Sequence, residues 1–177
     1  MGRLYQGALA PGGWAFDTRG EQAGLAARLQ DGRTALWFLR DQSCVLARYH
    51  LFLMAQAAEV FLEKGWRMLA IVDSDPAVLE RESPVGGWPF PVLCGDEALF
   101  RRWGIGTAAS AEVLGGPHVQ EAIARAKNAG FVHGTDSGDP LRLPAVFGVA
   151  EGKIVYCHYA ATGEDLPDPA ETLSALA

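Results

Sequence analysis

Two apolar runs separated by a long helical pattern are the clearest feature of the hydrophobic and polar pattern along the chain. Residues 34–39 and 67–72 are short and nearly all apolar, which predicts two strands buried on both faces of a sheet. Between them, residues 44–64 carry apolar side chains at helical spacing, and Gly65 ends the pattern. Strand, helix and strand form a βαβ unit, so we expect the two strands to be parallel.

The rest of the chain alternates short helical patterns with segments rich in glycine and proline. We predict a helix that opens at 73–76, helices over 96–103, 119–128 and 169–176, an extended segment over 89–93 and an irregular one over 106–116. Residues 145–150 and 153–158 flank Glu151-Gly152, which is a two-residue hairpin signal. This order predicts a thioredoxin-like α/β fold, with a central mixed sheet, helices on both faces and a C-terminal β-hairpin plus helix.

Length and composition set the class of protein. A chain of 177 residues with 49% hydrophobic and 20% charged residues suits one globular domain over 1–177, with an insertion at about 104–138. The net charge of −6 argues against nucleic acid and anionic membranes as partners. Residues 1–20 lack the apolar core of a signal peptide, and the apolar stretch 44–62 is interrupted by polar residues, so we expect a cytoplasmic protein.

Cys44 is the main candidate for chemistry. It follows a predicted buried strand and begins a long helix, where free backbone N–H groups and the helix dipole favour a thiolate, the nucleophilic form. Ser43 is the expected N-cap. Arg40, at the end of the strand, and Arg48, one turn into the helix, could each bring positive charge to the sulfur.

Short segments over nearly the whole chain match a known family in order and spacing. They are Gly7-Ala-Leu-Ala-Pro11; Phe38-Leu-Arg40 with Cys44 and Arg48; Phe90-Pro-Val-Leu93 with Asp96, Phe100 and Gly104; Gly138-Asp-Pro-Leu-Arg-Leu-Pro144; Val146-Phe147; and Gly152-Lys153. The chain resembles the peroxiredoxin-like branch of the alkyl hydroperoxide reductase/thiol-specific antioxidant (AhpC/TSA) family, within the thioredoxin superfamily. The resemblance implies a homodimer and an arginine that orients the peroxide, for which Arg40 is our first choice and Arg48 our second.

The chain departs from that family in two places. Ala47 replaces the second cysteine of the Cys-x-x-Cys motif, and Asp41 stands three residues before Cys44, where typical peroxiredoxins have threonine. Without a cysteine at 47, an oxidised Cys44 needs another thiol to resolve it. Cys94 and Cys157 are candidates, and thioredoxin or a low-molecular-weight thiol is the simpler one.

Pro144 is a further site residue implied by the resemblance, because thioredoxin folds place a cis proline opposite the redox cysteine. The four histidines form no ligand set, so we expect no metal and no cofactor. The leading hypothesis is a thiol-dependent oxidoreductase that reduces a small peroxide, or a disulfide, through Cys44. The alternatives are a redox-inactive binding or scaffold module and a monothiol transferase.

Overall fold

Seven strands form one mixed sheet in the computed structural model, which describes residues 2–177. The strands are β1 (Trp14–Phe16), β2 (Gln22–Gly24), β3 (Arg33–Leu39), β4 (Trp66–Val72), β5 (Val92–Cys94), β6 (Ala145–Ala150) and β7 (Lys153–Tyr159). Their order across the sheet is β2-β1-β5-β4-β3-β6-β7. The two predicted apolar runs are therefore neighbours near the centre of the sheet.

The βαβ unit predicted from the sequence is confirmed. β3 and β4 are parallel and pair along their whole length, from Arg33 opposite Trp66 to Leu39 opposite Val72. On its other side β3 pairs with the antiparallel β6. Every residue of β3 after Arg33 is buried, which explains why the strand is apolar without alternation.

Seven helices occur within residues 2–177, and five of them cover the two faces of the sheet. The seven are α1 (Leu25–Gln30), α2 (Val45–Glu63), α3 (Pro76–Glu82), α4 (Glu97–Arg102), α5 (Ala111–Gly115), α6 (Val119–Asn128) and α7 (Pro169–Ala175). α2, α3 and α7 pack against one face, α1 and α4 pack against the other, and α6 lies against α2. α2 is also the one described helix that is long and apolar enough to cross a membrane.

The position of α2 is fixed by its buried side chains. Leu51, Met54 and Phe61 are fully buried against the sheet, and the Phe61 ring lies 5.5 Å from that of Trp37 on β3 in an edge-on contact. Burial of side chains of this size contributes about 1.5–3 kcal/mol each. Because this core orients α2, it also fixes where the N-terminus of the helix meets the end of β3.

The predicted C-terminal hairpin and helix are confirmed. Glu151 and Gly152 both have positive φ, at 49° and 76°, as the two central residues of a type I′ turn require. α7 begins with a capping box in which the Asp168 carboxylate accepts from the Glu171 backbone and the Glu171 side chain accepts from the Asp168 backbone. These local signals are strong enough to be identified in the sequence.

Four elements differ from the prediction. β1, β2 and α1 were not predicted, since two strands of three residues and a helix of six are too short to show a periodicity. α5 lies inside the segment 106–116 that we expected to be irregular. It forms because Ser110 caps the Val113 N–H at its first turn.

Candidate active site

The corner between β3 and α2 places Cys44 at the start of the helix. Cys44 is the N-cap residue: its own N–H donates to the Asp41 carbonyl at 2.9 Å, and its carbonyl accepts from the Arg48 N–H at 3.0 Å. The expectation that Ser43 caps the helix is wrong. The Ser43 hydroxyl instead donates to the Asp136 carboxylate at 2.8 Å, on a distant loop.

Arg40 provides the polar contact to the sulfur. Its Nη1 lies 3.3 Å from Cys44 Sγ, and its Nη2 donates to the Pro140 carbonyl at 2.9 Å. No side-chain cap bond joins Cys44 to the N–H groups of α2, so the guanidinium rather than the helix backbone is the donor to the sulfur. A guanidinium in this position stabilises negative charge on sulfur, which favours the nucleophilic thiolate.

Arg48, the second predicted arginine, is not brought to the sulfur. Its Nε donates to the Gln42 carbonyl at 2.8 Å, and its Nη2 forms an ion pair with the Glu82 carboxylate on α3. Both groups are mostly buried. The guanidinium of Arg48 is therefore committed to holding α2, α3 and the β3–α2 corner together.

Pro144 precedes β6 and lines a cavity that also includes Arg40 and Ala47. Its carbonyl accepts the Ala160 N–H at 3.1 Å. The bond before Pro144 is trans, as are all the peptide bonds of residues 2–177, so the expectation of a cis proline is wrong. An X–Pro bond ordinarily favours the trans form by about 0.5–1 kcal/mol. The bond before Pro144 follows this ordinary preference and not the cis form that the resemblance implied.

The loop of residues 131–144 covers the β3–α2 corner and is held by Asp41. The Asp41 carboxylate accepts backbone N–H groups from Ser137 at 2.6 Å, Gly138 at 2.7 Å and Ser43 at 3.1 Å, and a hydroxyl from Ser74 at 2.8 Å. Burial opposes ionisation of this carboxyl, but the hydrogen bonds outweigh it and lower the pKa of Asp41. The aspartate at position 41, where typical peroxiredoxins have threonine, thus anchors the loop of residues 131–144.

Two further carboxylates hold the same loop. The Glu82 carboxylate accepts the Thr135 N–H at 2.9 Å beside its ion pair with Arg48. Nearer the end of the loop, the buried Arg142 bonds to Asp73 at 2.7 Å and to Glu97. The loop is therefore attached at its middle and at its end.

The sulfur of Cys44 borders a cavity of about 460 Å³ beneath this loop. Its walls are the β3–α2 corner, the side chains of Val119 and Ile123 on α6, and loop residues that include His133 and Pro140. Part of the segment 104–138, which we predicted to be an insertion, thus forms one wall of the cavity at Cys44. The boundary of that insertion stays a prediction.

The other two cysteines are poorly placed to resolve an oxidised Cys44. Cys94 is buried in β5, and burial together with nearby carboxylates raises its pKa to about 12. Cys157 packs with the cluster on the other face of the sheet from Cys44, and burial raises its pKa as well. Ala47, where the family motif has cysteine, is buried.

No group of three or more His, Cys, Asp or Glu side chains suited to a metal ion occurs within residues 2–177. The sequence could identify Cys44 and Arg40, which are close along the chain. It could not identify the loop contacts of Asp41, Glu82 and Asp136. No local signal links Asp41 or Glu82 to a loop that lies 53 to 97 residues further along the chain, or links Asp136 on that loop back to Ser43.

Solved structures with a similar fold are mostly peroxiredoxins and thiol peroxidases. A peroxiredoxin-like protein from Aquifex aeolicus has a TM-score of 0.66 at 13% identity, over 98% of this chain and 86% of that one. Reduced Prx3 in complex with H2O2 from Vibrio vulnificus has a TM-score of 0.67 at 12% identity, over 98% and 99%. A yeast mitochondrial 1-Cys peroxiredoxin has a TM-score of 0.67 at 13% identity, over 98% and 75%.

These comparisons define the fold as thioredoxin-like, and the predicted fold class is confirmed. The resemblance to peroxiredoxin-like proteins is confirmed at the level of that fold. No protein-family model and no curated protein matches the sequence. With identities this low, the chemistry has to be argued from the side chains at the site.

Proposed function

We propose that this protein is a thiol-dependent peroxidase of the peroxiredoxin-like type, with Cys44 as the nucleophile. The observation that carries the proposal is the 3.3 Å contact between Arg40 Nη1 and Cys44 Sγ at the entrance of α2. A positively charged donor favours the thiolate, and the cavity beside the sulfur admits a small substrate.

The reaction is a displacement at oxygen. The Cys44 thiolate attacks one oxygen of the peroxide, an S–O bond forms and the O–O bond breaks. The departing oxygen takes up a proton and leaves as water or an alcohol, so the peroxide is reduced and the sulfur is oxidised to sulfenic acid. The second amino group of Arg40 is held by the Pro140 carbonyl, which keeps the guanidinium in place during this step.

An external thiol completes the cycle in this proposal. One thiol forms a mixed disulfide with Cys44 and releases water, and a second thiol reduces that disulfide. The burial of Cys94, the position of Cys157 on the other face of the sheet and the alanine at 47 all favour an external reductant, either thioredoxin or a low-molecular-weight thiol. The yeast neighbour is described as resolved through glutathione and thioredoxin systems.

Turnover tests the proposal. We expect the protein to consume hydrogen peroxide when thioredoxin with its reductase, or glutathione with its reductase, is supplied. Cys44→Ser removes the nucleophile and should abolish this consumption, whereas Cys94→Ser and Cys157→Ser should keep it. Wild-type turnover by Cys44→Ser would exclude the mechanism.

The alanine at position 47 also favours a second candidate, a redox-inactive binding module that has lost its local disulfide. It predicts no peroxide consumption with either reductant and no faster alkylation of Cys44 than of free glutathione. Glutathionylation confined to Cys44, without a peroxidase rate, would indicate a monothiol transferase. A cytoplasmic location and a homodimer stay predictions from the sequence.

A further inference from the structure

Another cavity, which we call the distal cavity, lies at the opposite end of the sheet from Cys44. Its volume is about 240 Å³, and it is lined by the first residues of β3 and β4, the last turns of α2, the segment 89–91 and Arg28 on α1. Cys44 begins α2, and Leu62 near the end of that helix lines the distal cavity, so about 27 Å of helix separate the two. The peroxidase reaction proposed at Cys44 makes no use of this cavity.

The floor of the distal cavity is aromatic and apolar. The side chains of Trp66, Met68 and Phe90 line it and are buried. Ala58 and Leu62 on α2 add an apolar wall. Aromatic rings pack well on other rings and on a polarisable thioether. This floor therefore suits a ligand with a planar aromatic body.

Two prolines hold one side of the distal cavity in place. Pro89 and Pro91 flank Phe90, and a proline fixes its own φ and restricts the residue before it to extended conformations. The Pro91 carbonyl accepts the Ala70 N–H at 3.0 Å, and the Phe90 ring stacks on that of Trp88 with centroids 6.3 Å apart. A wall that is already ordered loses little conformational entropy when a ligand binds.

Two exposed arginines form the mouth of the distal cavity. Arg67, near the start of β4, donates through Nη2 to the carbonyl oxygens of Arg28, at 3.1 Å, and of Asp31 at the end of α1. No carboxylate lies within ion-pairing distance of the Arg28 or Arg67 guanidinium among residues 2–177. The mouth is therefore locally positive on a chain whose net charge is −6, and its charge is free to bind an external anion.

Size and charge narrow the class of ligand. Sites for drug-sized molecules have about 300–1,000 Å³, so a cavity of about 240 Å³ suits a smaller molecule of one or two rings. A carboxylate matches the planar fork of a guanidinium. The net negative charge of the chain opposes a multiply charged anion more than a singly charged one. These features together favour an aromatic ligand with a single carboxylate.

We propose that the distal cavity binds a small aromatic carboxylate, with its rings on Trp66 and Phe90 and its carboxylate at Arg28 and Arg67. The rings bury apolar surface against the floor, and the carboxylate accepts hydrogen bonds from the guanidinium groups at the mouth. Binding is reversible and forms no covalent bond. The proposal goes beyond the peroxidase function and does not depend on it.

Calorimetric titration with 2-naphthoate tests the proposal. We expect a dissociation constant below about 1 mM, and binding about fivefold or more weaker for 2-naphthamide, which has the same rings without the charge. Arg28→Glu should weaken the binding of 2-naphthoate about fivefold or more. The matched control is Arg101→Glu, an equal change of charge at an exposed arginine of α4 that does not line the cavity, and it should change binding by less than about twofold.

Filling the distal cavity gives a second test. Ala58 lines it from α2, whereas Gln56 on the same helix is exposed and does not. We expect Ala58→Phe to abolish the binding of 2-naphthoate and Gln56→Phe to keep it. If Ala58→Phe does not fold, the comparison of Arg28→Glu with Arg101→Glu still decides, because both arginines are exposed.

Several results would overturn the proposal. They are no binding of 2-naphthoate to the wild-type protein, equal binding of 2-naphthamide, and tighter binding of 2-naphthyl phosphate than of 2-naphthoate. Binding that Arg40→Met removes but Arg28→Glu keeps would place the ligand at Cys44 instead. A dimer in sedimentation that Ala58→Phe dissociates would assign the cavity to a second copy of the chain. None of these results bears on peroxide consumption, which is measured without the naphthoate.

Discussion

The guanidinium of Arg40 lies between the sulfur of Cys44 and the loop of residues 131–144. Its Nη1 is 3.3 Å from Sγ, and its Nη2 donates to the Pro140 carbonyl at 2.9 Å. A planar guanidinium with several fixed donors can make both contacts at once, which a lysine ammonium does less well at this geometry. The group that stabilises the nucleophile is thus positioned partly by the loop that covers it.

Replacement of Arg40 tests its role at the sulfur. We expect Arg40→Met to lower the rate of Cys44 oxidation by hydrogen peroxide about a hundredfold, because a preorganised charged donor is lost. Arg40→Lys keeps the positive charge but lacks the forked donors of a guanidinium, so its oxidation rate should lie between those of wild type and Arg40→Met. Stopped-flow kinetics of sulfenic acid formation measures each rate.

Arg48→Met is the matched comparison. Arg48 bonds to the Gln42 carbonyl and to Glu82 rather than to the sulfur. We expect this change to reduce the free energy of unfolding by about 1–3 kcal/mol, because it leaves mostly buried partners unsatisfied. The oxidation rate should fall less than in Arg40→Met, and a larger fall in Arg48→Met would contradict the assignment of Arg40.

Gly138 offers a test of the loop. A Cβ at this position would overlap the carbonyl oxygen of Asp73, so the loop has to shift to admit any side chain. We expect Gly138→Ala to lower the free energy of unfolding by about 1–3 kcal/mol and to make Cys44 more accessible to alkylation. Gly106→Ala is the control, since nothing lies within 4 Å of a Cβ there. Equal stability of the two variants in urea denaturation would show that the loop is not held as described.

Asp41 predicts a pH dependence of stability. Its pKa is lower in the folded protein than in the unfolded chain, so its contribution is present above about pH 4 and is lost as the pH falls through the folded value. We expect Asp41→Asn to be less stable than wild type by about 1–3 kcal/mol at pH 7. Urea denaturation at several pH values should show the difference shrinking below about pH 4. A difference that stays constant with pH would contradict the ionised anchor.

His50 predicts a second pH dependence, at higher pH. Burial lowers its pKa from 6.5 to about 4, so the unfolded chain binds a proton between these values that the folded protein does not. Stability is therefore complete above about pH 6.5 and decreases as the pH falls towards 4. We expect His50→Phe to remove this part of the pH dependence, as measured by thermal denaturation between pH 4 and 7. An unchanged slope in that interval would show that His50 is accessible to protons in the folded state.

The sequence predicted most of the fold for local reasons. β3 and β4 are apolar because they are buried on both faces, and the hairpin and α7 carry turn and capping residues that act within a few positions. The edge strand β2 and its neighbour β1 pair through three residues and carry no such signal. Their position depends on the rest of the sheet.

Only those parts of the candidate site that lie close together along the chain were predicted from the sequence. Cys44 and Arg40 are four residues apart, so the end of a strand and the start of a helix were enough to bring them together. The bonds from Asp41 to Ser137 and Gly138 span more than ninety residues and are formed only by the tertiary fold. The resemblance suggested a cis bond before Pro144 that the structure does not have.

Trapping of sulfenic acid at Cys44 is the most direct test of the account. Protein carrying Cys94→Ser and Cys157→Ser is mixed with one equivalent of hydrogen peroxide and then with dimedone, and the adduct is located and timed by mass spectrometry. We predict an adduct at Cys44 that forms faster than oxidation of free glutathione under the same conditions. A Cys44 that reacts no faster than glutathione, or forms no adduct, would contradict a peroxidatic thiol and favour the binding module.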